Sequence, residues 1–84
     1  RKTVLDQIEI TRGGRIQVRI GLLLIDGDDE IDRKWHRTAI EPNSDAVLQM
    51  EAVNSHLDQM GRPPVSPEDI ARIVAIKAAL ASSP

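Results

Sequence analysis

The stretch IQVRIGLLLI, Ile16–Ile25, decides the fold of this chain. Apolar residues occupy every second position from Ile16 to Leu24, which places them on one face of an extended strand. From Leu22 onward both faces are apolar, and this predicts a central strand that is covered on both sides at that point. Gly21 interrupts the pattern and marks either a β-bulge or a close approach of another segment to the backbone.

Two shorter segments of β character flank this strand, and a turn signal joins each of them to it. Before it, Ile8 and Ile10 alternate with polar residues, and Arg12–Gly14 supply the turn. After it, the acidic run Asp26–Asp29 predicts a second turn, and a third strand follows. The sequence therefore predicts an antiparallel three-stranded meander over residues 1–41.

The period of the apolar residues changes after Pro42. A first helix is predicted over residues 44–61, where apolar residues recur three and four positions apart. Ser44 or Asp45 is suited to cap its start, and Gly61 is suited to the position just past its end.

A second helix is predicted over residues 66–82. Its first residues, SPEDI, place Ser66 as the capping residue, Pro67 at the first helical position and two acids near the positive end of the helix dipole. We expect it to fray over Ser82–Pro84. Strands followed by helices form the α+β pattern. The prediction is a single domain, residues 1–84, in which two α-helices pack on one face of the three-stranded antiparallel β-meander.

Composition sets limits on the function. The 84 residues carry a net charge of −2, no cysteine and one aromatic residue, Trp35. The missing cysteines exclude disulfides, thiolate metal sites and cysteine nucleophiles. The longest apolar run, Ile20–Ile25, is far shorter than a membrane span, so we expect a soluble protein made in the cytoplasm. A core with so few aromatic residues is small, which favours assembly with copies of itself or with another protein.

The basic run RKWHR, residues 33–37, lies in the third predicted strand. Alternation places Arg33, Trp35 and Arg37 on one face of the strand and His36 on the other. Arginines beside a tryptophan either support it by packing or meet a partner protein, because both residue types are enriched at interface hot spots. Arg33, Trp35, His36 and Arg37 are the predicted partner-binding residues, and His36 would add pH sensitivity.

Two other classes of function would use the same region. A nucleic-acid-binding or regulatory module would use the basic strand, residues 33–37, but a single aromatic residue and a negative net charge disfavour it. A small enzyme or metal protein would use His36, His56 and the acidic turn. Ser55, His56 and Asp58 point in divergent directions on a helix, and DGDDEID lacks the spacing of a calcium loop. No catalytic residue, cofactor or metal is therefore predicted.

Part of the chain, residues 17–45, resembles small proteins encoded in the tail-fibre and tail-tip regions of tailed bacteriophages and prophages, which carry a (Y/W)HR…PGDD signature. The residues that carry the resemblance are Trp35, His36, Arg37, Thr38, Ile40, Pro42 and Asp45. Asn43 and Ser44 stand where that family often has Gly-Asp.

The resemblance implies a non-enzymatic virion protein, synthesised in the host cytoplasm and placed at the tail tip or at the fibre attachment. It further implies a homo-oligomer that is bound to larger virion structural proteins.

Overall fold

The computed structural model describes residues 1–81 and confirms the predicted α+β architecture. The strands are β1 (Lys2–Ile10), β2 (Ile16–Asp26) and β3 (Asp29–Ile40), and the helices are α1 (Ala46–Gln59) and α2 (Pro67–Ala81). Both strand pairs are antiparallel, and β2 is the central strand, as predicted. The predicted fraying at Ser82–Pro84 lies outside the described residues. Neither helix has the length and apolar character needed to cross a membrane.

Both predicted turns form where glycine permits a positive φ. In the turn between β1 and β2, the Gly14 N–H donates to the Thr11 carbonyl at 3.0 Å, and Gly14 has a φ of 87°. The turn between β2 and β3 has two residues, Gly27 and Asp28, and Gly27 has a φ of 62°. A positive φ at the first of two turn residues suits the right-handed twist of a hairpin. These turns therefore fix the register of the strands.

One face of β2 forms the centre of the hydrophobic core. Ile16, Val18, Ile20 and Leu22 are each at most 4% exposed. The other members of this core are Ile40 of β3, Ala46, Met50, Val53 and Leu57 of α1, Val65 of the linker and Ile73 of α2. Both helices thus pack on the same face of the sheet, which is the face that carries the even-numbered residues of β2.

Helix α1 begins and ends through side-chain and backbone caps. Of the two predicted capping residues, Asp45 is the one that caps: its carboxylate accepts a hydrogen bond from the Leu48 N–H at 3.1 Å. At the other end Gly61 has a φ of 70°, and the Arg62 N–H donates to the Leu57 carbonyl at 2.8 Å. This is the pattern of a Schellman motif, which explains why the helix stops before Gly61.

The connection from β3 to α1 is a tight turn. The Ser44 N–H donates to the Glu41 carbonyl at 3.0 Å. Pro42 occupies the second turn position, which its fixed φ suits, and Asn43 has a negative φ. Asn43 and Ser44 therefore form a tight turn without a glycine.

Polar contacts anchor the linker between the helices. The Val65 N–H donates to the Asn54 side-chain oxygen of α1 at 2.8 Å, and the Thr3 hydroxyl of β1 donates to the Pro63 carbonyl at 2.6 Å. At the start of α2, the Ser66 hydroxyl accepts from the Asp69 N–H at 3.2 Å, as predicted for a capping serine. These bonds position α2 against α1 and the sheet.

The opposite face of the sheet, which we call the open face, is not covered by either helix of the described chain. Its residues are Lys2, Val4, Asp6, Gln7 and Glu9 of β1, Gln17, Arg19, Gly21, Leu23 and Ile25 of β2, and Glu30, Arg33, Trp35, Arg37 and Ala39 of β3. At Leu22 and Leu23 the central strand is buried on both faces, as predicted, although the helices pack on only one of them. Leu23 is only 8% exposed, although it does not belong to the core beneath the helices.

Candidate partner-binding face

Trp35 lies against the central strand because Gly21 leaves room for its ring. Gly21 is paired with Val4 on one side and with Trp35 on the other. A Cβ on Gly21 would lie 3.2 Å from Cζ3 of Trp35 and 3.0 Å from Cγ2 of Val4, which is tighter than ordinary van der Waals contact. Of the two roles predicted for Gly21, close approach is therefore correct and a bulge is not. The Trp35 side chain nevertheless remains 42% exposed.

Two arginines stack on the Trp35 ring. Cζ of Arg19 lies 4.7 Å from the ring centroid, and Cζ of Arg33 lies 5.2 Å from it. Each guanidinium also holds a carboxylate, since Arg19 Nε donates to Asp6 at 2.7 Å and Arg33 Nε donates to Glu30 at 3.0 Å. We call these five residues the arginine–tryptophan cluster. Its contacts restrict the ring and both guanidinium groups before any partner arrives.

Two shifts in strand register orient the acidic side chains of the arginine–tryptophan cluster. Asp6 is the extra residue where the register of β1 shifts against β2, and Ile31 is the extra residue where β3 shifts. The second shift brings Glu30 to the same face as Arg33, three residues later. Hydrogen bonding to Glu30 is the main cause that raises the pKa of Arg33 above its ordinary value. Arg33 is therefore charged at every physiological pH.

Arg37 differs from the other two arginines of the open face. It lies directly opposite Arg19 in the pairing of β2 and β3. Like charges directly opposite each other on one face are destabilising. Asp6 offsets Arg19, whereas the guanidinium group of Arg37 has no hydrogen-bond or ion-pair partner within residues 1–81. The fold itself gives no reason for a positive charge at this position.

A groove lies beside the cluster, at the end of the open face that is nearer the turn between β1 and β2. Its volume is about 590 Å³. The residues that line it and face outward are Gln7, Glu9, Gln17, Arg19, Arg37 and Ala39. Five of these six side chains carry polar or charged groups, so this part of the face can offer hydrogen bonds to a partner.

His36 does not belong to this face, although we predicted it among the partner-binding residues. It points toward the helices, where its ring centroid lies 5.3 Å from that of His56 of α1, with the planes tilted by 33°. Burial, and secondly the charge of His56, lowers the pKa of His36 from its ordinary value. The structure brings Arg33, Trp35 and Arg37 together and places His36 on the other side of the sheet.

The histidines do not join the acidic turn in a metal site. In the part of the chain that the structure describes, no three side chains of histidine, cysteine, aspartate or glutamate come together as metal ligands. The ring of His56 contacts that of His36. His36 and His56 instead form a packing contact between β3 and α1.

Several residues that carry the phage resemblance have structural roles. The Thr38 hydroxyl accepts a hydrogen bond from a glutamine of α1, Ile40 is fully buried, and Asp45 caps α1. Trp35 and Arg37 are the members that face outward on the open face. They are consequently the residues of the motif that a partner could reach there.

Comparison of the chain with protein-family models, with curated proteins and with solved structures finds no match. The fold and the face described above therefore define the protein as an α+β domain with one uncovered sheet face.

Proposed function

We propose that the protein is a non-enzymatic structural adaptor whose open face docks onto another protein chain. The observation that carries the proposal is the arginine–tryptophan cluster on a sheet face without a helix. Trp35 offers exposed apolar area, and its contacts with Arg19 and Arg33 restrict it before binding. Side chains that are already restricted lose less conformational entropy on association, and tryptophan and arginine are enriched among the residues that dominate interface energetics.

The alternative reading is that the arginines only support the tryptophan. Arginine stems do cover apolar surface, and Arg19 and Arg33 fulfil that role here. Support alone does not account for Arg37, whose guanidinium group repels that of Arg19 and has no partner in the described chain. A docking face accounts for both the cluster and Arg37.

The setting that we propose is the virion of a tailed bacteriophage, at the tail tip or at the tail-fibre attachment. There the protein would bind larger virion structural proteins and be present as a homo-oligomer. The support for this setting is the resemblance carried by Trp35–Thr38 and the residues that follow. The small core, which contains no aromatic side chain, agrees with a protein stabilised by assembly.

Nucleic acid is the less favoured partner. Arg19 and Arg33 are both ion-paired with carboxylates of the same face, and Glu9 lines the groove. Binding to phosphates depends on unneutralised cations, and this face offers few. A protein partner tolerates such a mixture of charges better than a nucleic-acid backbone does.

Trp35 makes this proposal directly testable, because the chain contains no other tryptophan and no tyrosine or phenylalanine. Its fluorescence therefore reports on the open face alone. We expect the mass from light scattering to rise with protein concentration, and acrylamide quenching of Trp35 to fall in parallel. An oligomer with unchanged quenching would show that copies associate elsewhere. A monomer at every concentration would contradict the homo-oligomer.

A pair of matched variants separates the open face from the helices. Ala39→Glu puts a charge on the open face, and Ala75→Glu puts the same charge on an exposed position of α2. Ala39→Glu should abolish the protection of Trp35 and the rise in mass, whereas Ala75→Glu should leave both unchanged. Equal effects of the two variants would contradict the proposal.

A further inference from the structure

The pairing of Arg19 with Arg37 points to an anionic ligand. Their Cα atoms are partners across β2 and β3, and both side chains face outward. Only Arg19 has a carboxylate partner, Asp6. Two neighbouring guanidinium groups of which one has no counter-ion form a seat for a further carboxylate, which an arginine can hold by two parallel hydrogen bonds.

The groove surrounds this seat with polar groups in two rows. The first row runs across the sheet through Gln7, Arg19 and Arg37, and the second runs through Glu9, Gln17 and Ala39. Ala39 contributes only a methyl group to the second row, and the glutamine amides can both donate and accept hydrogen bonds. The groove thus has a positive row and, beside it, a row with one negative charge.

We propose that this groove binds an extended acidic segment of the partner protein, with an aspartate or glutamate side chain seated on Arg37 and Arg19. The inference rests on the proposed function and names the chemistry of the partner. Trp35 lies two residues before Arg37 on β3, which corresponds to about 6.6 Å along the strand. Alternate side chains of an extended partner have the same spacing. The expected pattern is an apolar residue over Trp35 and, two residues later, an acid over Arg37. A lysine or arginine two residues further would lie over Ala39 and extend across the sheet toward Glu9.

Charge complementarity favours a protein segment over a nucleic acid. Consecutive phosphates of a strand are all negative, so a phosphate beside the seat would meet Glu9 in the second row. An alternating segment can place a cation there instead. The net charge of the whole chain, −2, also opposes the approach of a polyanion.

The test is an NMR titration of the whole ¹⁵N-labelled protein with the acetylated and amidated peptide Val-Thr-Glu-Thr-Lys. We expect saturable shifts at the Arg37 Nε and at the amide signals of Gln17 and Ala39. The matched peptide with glutamine in place of glutamate should bind about tenfold more weakly, since a charge-assisted hydrogen bond is lost. Equal binding of the two peptides, or no saturable shift, would overturn the proposal.

Matched protein variants locate the seat. Arg37→Gln should weaken binding of the glutamate peptide about tenfold with the rest of the spectrum unchanged, because the guanidinium group of Arg37 has no partner within residues 1–81. Arg12→Gln removes the same charge from the turn between β1 and β2 and should leave binding unchanged. Equal weakening by both variants would mean general electrostatic attraction and would overturn the seat.

Two further outcomes would show that something other than an acidic segment occupies the groove. If dilution of the protein moves the same signals and excess peptide does not lower the mass of the oligomer, the groove holds a second copy that the acidic segment cannot displace, and the proposal is wrong. If oligothymidylate moves them at lower concentration than the peptide does, the ligand is nucleic acid, and the proposal is wrong. The quenching of Trp35 uses no peptide, so failure of the acidic segment is distinguishable from failure of the docking face.

Discussion

Trp35 can lie across β2 only because the residue beneath its ring is a glycine. The sequence shows an isolated Gly21 in an apolar strand, and this is enough to predict a close approach. It does not show which side chain approaches, because the register of β3 brings Trp35 there from fourteen positions along the chain. The same pairing places Arg19 against Trp35 and opposite Arg37, and for that reason Arg19 was absent from the predicted site.

Replacing Gly21 by alanine tests this contact. The added methyl group would meet Trp35 and Val4, and Trp35 can relieve the clash by moving toward solvent. We expect Gly21→Ala to lower the free energy of unfolding by about 1 kcal/mol and to shift the Trp35 emission to longer wavelength. Urea denaturation followed by fluorescence measures both effects.

The matched control is Gly13→Ala, since a Cβ at Gly13 would meet no atom within 4 Å. This variant should be as stable as the original protein. If Gly21→Ala were equally stable and had an unchanged emission spectrum, the close packing of Trp35 on β2 would be wrong.

At the scale of elements, caps and turns account for where the helices begin and end. The sequence left Ser44 and Asp45 as alternatives for the cap of α1, because both residue types accept hydrogen bonds from free N–H groups. The structure selects Asp45, while the Ser44 N–H closes the preceding turn. Sequence spacing alone could not distinguish Ser44 from Asp45 as the cap, because the choice depends on the direction in which the turn at Pro42 leads the chain into α1.

Asp45→Ala should therefore lower the free energy of unfolding by about 1 kcal/mol, because the Leu48 N–H loses its acceptor. Ser44→Ala is the matched control, and its stability should stay within about 0.5 kcal/mol of the original. Thermal unfolding followed by circular dichroism measures both variants. The reverse order of stabilities would make Ser44 the capping residue.

The contact between β3 and α1 makes stability depend on pH. The pKa of His36 is lowered in the folded protein, firstly by burial and secondly by His56, from its ordinary value of 6.5. As the pH falls through about 6.5, the unfolded chain takes up a proton before the folded protein does. The full stability is present above that pH, and part of it is lost between 6.5 and the lower pKa of the folded state.

We expect this loss in urea denaturation measured between about pH 7.5 and pH 5.5, a range in which exposed carboxylates do not titrate. The variant His36→Gln should remove most of the slope, and His56→Gln only a smaller part, because burial is the larger cause. A slope that survives in His36→Gln would show that another group is responsible.

At the scale of the whole molecule, the alternation of β2 and the helical period after Pro42 were sufficient to predict the architecture. They were insufficient to predict which sheet face stays uncovered. Leu22 and Leu23 are both apolar and buried, yet only Leu22 belongs to the core beneath the helices. The shifts in register at Asp6 and Ile31 were also unpredicted, because a bulge depends on pairing between strands rather than on either strand alone.

The uncovered face defines what the molecule can do as a whole. The helices occupy one side of the sheet, and the arginine–tryptophan cluster with its groove occupies the other. A partner that adds a layer to the open face would complete a packing that the chain leaves one-sided. The homo-oligomer and the acidic segment of a partner are two forms that such a layer can take.

Site-specific photocrosslinking tests whether a partner contacts the open face or the helices. A photoreactive amino acid is placed at Ala39 on the open face or at Ala75 on α2, in cells that produce the protein from its own gene. Adducts are then identified by mass spectrometry. We predict a discrete protein adduct from position 39 that is lost on Trp35→Ala and on Arg37→Gln, and none from position 75. An adduct from position 75 alone would contradict the account, because the partner would then bind the helices.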